Sequence, residues 1–251
     1  MPCPLQPQST IVILTSNMLC FLVSVIVLFL ATSETREDDI YLPQELILNL
    51  NLYLDPEWHN IHGEGSVKIA NQVVEAAHDL FQHPSLNTKV ELVGNTERIF
   101  NSSQHLRTFA RNMDKIAGLL QPPFEVRGQH NTRRDNFQIA HVYLTVGGIV
   151  DERSVAGSVC HYSKQPITAV RWGGSVGRTA ATMAHGLGHV LGMGHDSLGE
   201  KEGCGEKGGF VMNNGGSREK WSDCSNEDFR IFYEDTFKTQ NGFCLEEIRI
   251  K

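Results

Sequence analysis

Apolar and polar residues alternate over Glu45–Asp55, with Leu46, Leu48, Leu50, Leu52 and Leu54 on one side. A period of two sends successive side chains to opposite faces, so this stretch predicts a half-buried strand. The period then changes. Across Ser66–Phe81, Val67, Ala70, Val73, Val74, Ala77 and Phe81 fall at helical spacing, which predicts an amphipathic helix ended by His83-Pro84. Lys89–Phe100, which contains Val90-Glu91-Leu92-Val93, predicts a second strand. Asn101–Leu120 opens with Asn and Ser capping residues and carries Leu106, Phe109, Met113, Ile116, Ala117 and Leu120, a second helix. Gln121–Asn136 is polar, contains Pro122-Pro123 and is expected to be a surface connection. Ile139–Val146 predicts a third strand and Ser154–Val159 a short edge strand. Thr179–Leu191 predicts a helix, and Asn226–Phe237, with Phe229, Ile231, Phe232 and Tyr233, a last one. Strands and helices alternate through the first two thirds, which implies a layered α/β domain. The last third, with its Gly- and charge-rich stretch Lys201–Lys220, is irregular and needs cross-links.

Residues 1–33 are expected to lie outside that domain. Met18–Ala31 is a nearly continuous apolar run of 14 residues. That suits a signal-peptide core better than a bilayer span of about 20 residues. Ala31-Thr32-Ser33 offers small residues for cleavage, and Glu34–Asp39 is polar. No Lys or Arg precedes the run, which departs from the usual signal pattern; a start at Met18 would leave a compact signal. The alternative is an uncleaved anchor, the one way in which a membrane would become a partner. The division expected is 1–33 signal, 34–44 linker and 45–251 one domain, secreted and monomeric.

The composition narrows the class. Net charge is −7 over 251 residues and no Lys/Arg cluster stands out, which argues against nucleic acid as a partner. The acidic balance serves solubility. Of six cysteines, Cys3 and Cys20 fall in the segment expected to be removed, leaving Cys160, Cys204, Cys224 and Cys244. An even number in an exported chain implies disulfides, and four cysteines allow three pairings. Asn101-Ser102-Ser103 is a glycosylation sequon, meaningful if the chain is exported.

Residues 185–196 carry the chemistry, reading His-Gly-Leu-Gly-His-Val-Leu-Gly-Met-Gly-His-Asp. His185 and His189 are four apart and share one helix face, where they can grip one metal ion. Gly192 and Gly194 allow the chain to turn so that His195 becomes a third nitrogen ligand. Three His ligands suit Zn²⁺ and leave a fourth position open, the mark of a catalytic site rather than a structural one. The metal-hydrolase form of this pattern places Glu directly after the first His as general base. Here that residue is Gly186. Asp196 is expected beside the ligands as an acceptor rather than as a ligand.

The motif Met183-Ala184-His185-x-Leu187-Gly188-His189-x-Leu191-Gly192-Met193-x-His195-Asp196 resembles the adamalysin (reprolysin) branch of the metzincin zinc endopeptidases. That branch includes snake-venom metalloproteinases and ADAM catalytic domains. The resemblance runs from Glu45 to Leu245. Val211-Met212-Asn213 is similar to the family's Met-turn, Trp221-Ser222-Asp223-Cys224-Ser225 to its Phe-Ser-x-Cys-Ser, and Cys244-Leu245 to its closing Cys-Leu. The resemblance implies a twisted mixed β-sheet with helices, a looser disulfide-stapled lower part and a zinc cleft between them. It also implies pairing of Cys160 with Cys244 and Cys204 with Cys224, and Met212 as an apolar floor under the imidazoles. Only the catalytic domain is expected, without the family's cysteine-based latency segment or its disintegrin domain. Glu45, Asp135 and Glu247 sit near the family's structural Ca²⁺ positions, though scattered surface acids are the favoured reading.

A general base contributes typically about 10²–10⁴-fold, and glycine cannot act as one. The favoured expectation is therefore a secreted zinc-binding pseudoprotease that binds extracellular protein or extended peptide by strand addition near Ser154–Val159. One alternative is an active endopeptidase with a substitute base. Another is a Gly186 variant of an active enzyme.

Overall fold

Five strands, in the spatial order Lys89–Ile99, Glu45–Leu54, Ile139–Thr145, Ile167–Arg171 and Glu152–Ser154, form the sheet that carries the site, and a short sixth, Glu246–Glu247, pairs with the start of Glu45–Leu54. The computed structural model describes residues 42–99, 138–147, 151–161, 164–196, 204, 208–214, 218–240 and 244–247. The expected signal segment, most of the linker, the helix over 101–120, the connection over 121–136, the Asn101 sequon and Asp135 lie outside the described residues.

β1 (Glu45–Leu54) is the predicted leucine strand. It pairs in parallel with β2 (Lys89–Ile99) on one side and β3 (Ile139–Thr145) on the other, and β3 pairs in parallel with β5 (Ile167–Arg171). The five even-numbered leucines of β1 are buried, as the alternation requires. Fully burying each is worth roughly 1.5–3 kcal/mol. Tyr53, an odd position, is buried too and stacks on Tyr143 with ring centroids 4.6 Å apart. β4 (Glu152–Ser154) is antiparallel to β5 and forms the edge, and β6 (Glu246–Glu247) is antiparallel to β1. The sheet is therefore mixed, within an α/β domain.

α1 (Pro56–His62) follows β1 directly, and α2 (Ser66–Phe81) follows a single 3₁₀ turn at Gly63–Gly65. Asp55 caps α1, accepting from the Glu57 amide at 2.8 Å, and Pro56 takes the first turn, where its missing N–H costs nothing. α2 buries Ala70, Val73, Ala77 and Phe81. α3 (Val176–Val190) is the metal helix, capped by Ser175 Oγ, which accepts from the Arg178 amide. α4 (Asp223–Gln240) closes the fold.

Three elements escaped the periodicity, one of them the two-residue β6, and one is displaced. β5 has four consecutive buried residues, Ile167–Val170, and a strand covered on both faces shows no alternation to read. α1 has seven residues and buries only Trp58, too little for a helical stripe. The edge strand lies at Glu152–Ser154 rather than Ser154–Val159, because after Val155, whose amide still donates to the Ile167 carbonyl, the chain leaves β5 and turns at Gly157, with φ of 53°. That shift moves Glu152 into the sheet.

Disulfides join Cys160 to Cys244 and Cys204 to Cys224. The first ties the segment after β4 to the chain's last described strand. The second anchors the stretch between the metal segment and α4.

Candidate metal centre

α3 packs most extensively on α2 and also against β5 and β4, and together these bury most of its residues. His185 and His189 stand one turn apart on one face of it. The helix ends at Leu191, and Gly192 adopts φ of 86°, which reverses the chain and brings His195 round. Gly194 adopts no such conformation. Its role is local, with its amide donating to Asp228 Oδ2 at 2.8 Å.

The three imidazoles converge through Nε2. The separations are 3.1 Å for His185–His189, 3.2 Å for His185–His195 and 3.0 Å for His189–His195. Tetrahedral coordination at about 2.0–2.1 Å puts ligand nitrogens about 3.3 Å apart, close to these values. The tautomers are fixed from behind. His185 Nδ1 donates to the Val211 carbonyl at 2.7 Å and His189 Nδ1 donates to the Met193 carbonyl at 2.8 Å. A neutral ring that donates from Nδ1 has only a lone pair at Nε2. Two such lone pairs cannot hydrogen-bond each other, and a divalent cation between them resolves the conflict. Burial drives the His185 pKa down to about 3 and lowers that of His189, so both are neutral, as a zinc ligand must be. Among the described residues this is the one cluster of three or more metal-ligating side chains.

The Reprolysin (M12B) zinc metalloprotease family matches residues 48–248. The chain belongs to that family. It is 28% identical over 210 residues to disintegrin and metalloproteinase domain-containing protein 9 of Homo sapiens, an alignment covering 82% of this chain and 24% of that protein. The chain thus spans about a quarter of the length of that curated relative. Two solved structures are similar. Metalloproteinase-II from Bacteroides fragilis matches with a TM-score of 0.43 and 13% identity, over 77% of this chain and 55% of that one. A chaperone–substrate complex matches at 0.46 and 14%, over 75% and 35%.

In this reprolysin domain the histidine triad is the zinc site, and its surroundings hold it rigid. Met212 is fully buried beneath the helix, and a Cβ on Gly188 would lie 2.5 Å from its sulfur. Asp196 is buried and accepts from Ser222 Oγ at 2.6 Å, while its amide donates to the Met212 carbonyl at 3.0 Å. It fastens the third ligand's segment to the turn below the metal and to the start of α4. Of the acids suggested for calcium, Glu45 and Glu247 belong to paired strands, with Glu247 opposite Leu46.

Gly186 faces the sheet. A Cβ there would overlap Thr168 Oγ1 and lie 2.8 Å from Ser154 Oγ and 2.9 Å from Glu152 Oε2. Glu152 and Ser154 are two apart on β4 and share a face, and Ser154 sits opposite Thr168 on β5. Ser154 Oγ lies 2.6 Å from Glu152 Oε2 and 2.7 Å from Thr168 Oγ1. Each hydroxyl has one proton, so the consistent arrangement has Thr168 donating to Ser154 and Ser154 to the carboxylate. Burial raises the Glu152 pKa, opposed by the Ser154 hydrogen bond and by the charges of His195, Arg218 and Arg153.

Glu152 and Arg218 are the residues that sequence reasoning missed. Arg218 Nη1 donates to Thr182 Oγ1 at 3.2 Å, and the guanidinium faces Glu152 and Asp151 electrostatically. Glu152 lies 34 positions before Gly186 on an unrelated stretch of chain. Only the β4–β5 pairing brings the two together, and β5 left no periodic trace.

Proposed function

We propose that this is a secreted zinc-dependent endopeptidase domain of impaired activity, acting on extended stretches of extracellular protein. The observation that carries it is Gly186, flanked by the ligand His185 and unable to exchange a proton. Two disulfides support an oxidising, extracellular setting.

Zinc, when bound by His185, His189 and His195, would polarise the scissile carbonyl and acidify water. The protein supplies the rest. The Val211 and Met193 carbonyls hold two imidazoles in the metal-accepting tautomer. The β4 edge, unpaired on its outer side among the described residues, offers main-chain groups to an extended peptide. α3 contributes no side chain at position 186 to take the proton from the attacking water, which costs about 10²–10⁴ in rate.

The test is direct. The purified domain is assayed for zinc by elemental analysis and for cleavage of casein and a quenched peptide, with and without chelator. One zinc per chain and slow, chelator-sensitive cleavage are expected. Turnover at a rate typical of metalloproteases would refute the impairment, and absence of bound zinc would refute the reading as a whole.

A second reading, a substitute base, is favoured by one observation: a carboxylate already occupies the space beside Gly186.

A further inference from the structure

The missing side chain on α3 leaves a space, and that space is filled by groups that can hold a proton. Glu152 Oε2 lies 2.9 Å from the point where a Cβ of residue 186 would begin. The carboxylate enters from the sheet side, from the edge strand along which an extended peptide would lie. Its orientation is built. Ser154 Oγ donates to Oε2 at 2.6 Å, and Thr168, buried on β5, backs Ser154. Among the described residues that is the one hydrogen bond to the carboxylate, so Oε1 carries none from them. Its charge is felt by His195, the third ligand, and by Arg218.

We propose that Glu152 is the proton-transfer residue of this domain, supplied by the edge strand in place of the absent glutamate of the metal helix. The inference rests on the zinc-dependent hydrolytic reading above and gives its slow rate a source. The chemistry balances without any further reagent. The Glu152 carboxylate removes a proton from water as the water oxygen bonds to the peptide carbonyl carbon. The carbon–nitrogen bond then breaks, and Glu152 returns the proton to the departing amine. One water is consumed, and a carboxylic acid and an amine are released. Ser154 and Thr168 are positioning residues. They hold Oε2 and thereby decide where Oε1 points.

The decisive variant is Glu152→Gln in the full chain, which keeps the side-chain volume and an acceptor for Ser154. Zinc content and thermal midpoint should match wild type. The value of kcat/KM should fall by about 10²-fold or more, mainly in kcat, with loss of the acidic limb of the pH profile. A readout independent of turnover is the affinity of the zinc-loaded protein for a peptidyl hydroxamate, whose proton needs an acceptor. Its Kd should rise about tenfold, the value of one charge-assisted hydrogen bond. Glu152→Asp, which keeps the charge but withdraws it by one methylene, serves if the Gln variant fails to fold. It should lower kcat at least about tenfold with KM little changed, since misplacing a catalytic group by about 1 Å is costly. A carboxylate that only fills space would leave kcat and hydroxamate affinity unchanged in a folded variant, and that result overturns the inference. Wild-type protein that binds zinc but shows no chelator-sensitive turnover also overturns it, while leaving the impaired reading standing. Wild-type protein that fails to bind zinc removes both.

Discussion

Gly188 and Met212 occupy one packing position between them: a Cβ on the glycine would sit 2.5 Å from the methionine sulfur. The turn below the zinc site can press against α3 only because residue 188 has no side chain. Gly188→Ala should therefore push Met212 aside and lower stability by about 1–3 kcal/mol, the usual cost of overpacking. Urea denaturation of the metal-free protein measures this. Zinc affinity should fall too, because Val211, which holds His185 Nδ1, is the neighbour of Met212.

Restoring the familiar glutamate should not restore the familiar enzyme. In Gly186→Glu the new Cβ runs into Thr168 Oγ1 and starts 2.9 Å from Glu152 Oε2, so a second carboxylate is added close to the first. Steric overlap and like charge together predict a lower melting temperature than wild type and little gain in peptide cleavage. Adding Thr168→Ala should recover part of the stability. A single Gly186→Glu variant that folds normally and cleaves rapidly would contradict the packing described here.

Acid should loosen the metal-free domain. His185 has its pKa lowered from 6.5 to about 3, chiefly by burial, and His189 is lowered for the same first reason. Between those values the unfolded chain binds the extra protons and the native one does not, so protonation favours unfolding. The stability contributed by the neutral rings is complete above about pH 6.5 and is lost as pH falls toward 3. Denaturation midpoints measured from pH 8 to pH 4 should decline mainly below 6.5. Saturating zinc should raise the midpoint at neutral pH and lose that effect in acid.

Glu152 carries the opposite sign. Its pKa is raised above the ordinary 4.5, first by burial, so the native state holds its proton more tightly than the unfolded chain. Its contribution to stability falls as pH rises from 4.5 through the raised value. Without metal, Glu152→Gln should thus be at least as stable as wild type at pH 7, and the two should converge near pH 4. A variant clearly weaker than wild type at pH 7 would mean that the charged carboxylate is a net stabiliser.

The cross-links should differ in weight. Cys160–Cys244 spans 84 residues and Cys204–Cys224 spans 20. Chain-entropy reasoning assigns about 4.6 kcal/mol to the first and about 3.3 to the second. Paired Cys→Ala replacement of the longer link should cost more in a denaturation series, while the shorter should matter more to zinc retention, since it anchors the segment after His195.

What the sequence made legible was whatever is local or periodic. The leucine strand, the helix over Ser66–Phe81 and the metal helix all announce themselves within a few turns of chain. The zinc ligands belong to that class, since two stand on one helix and the third follows a single glycine turn. The disulfide pairs came from a resemblance, because cysteine spacing does not determine connectivity. Glu152 belongs to neither class. Its partnership with position 186 depends on β5, whose four consecutive buried residues hide its period, and on an edge strand that begins two residues earlier than its apolar pattern suggested.

β4 is only three residues long, and Glu152 and Ser154 are two of them. A guest chain that pairs with this rail grips the backbone of the same residues whose side chains stand over the glycine of the metal helix. Recognition and turnover are then mechanically one element. A guest that shifts the rail re-aims the carboxylate, so preference for one cargo and speed on it cannot be tuned separately.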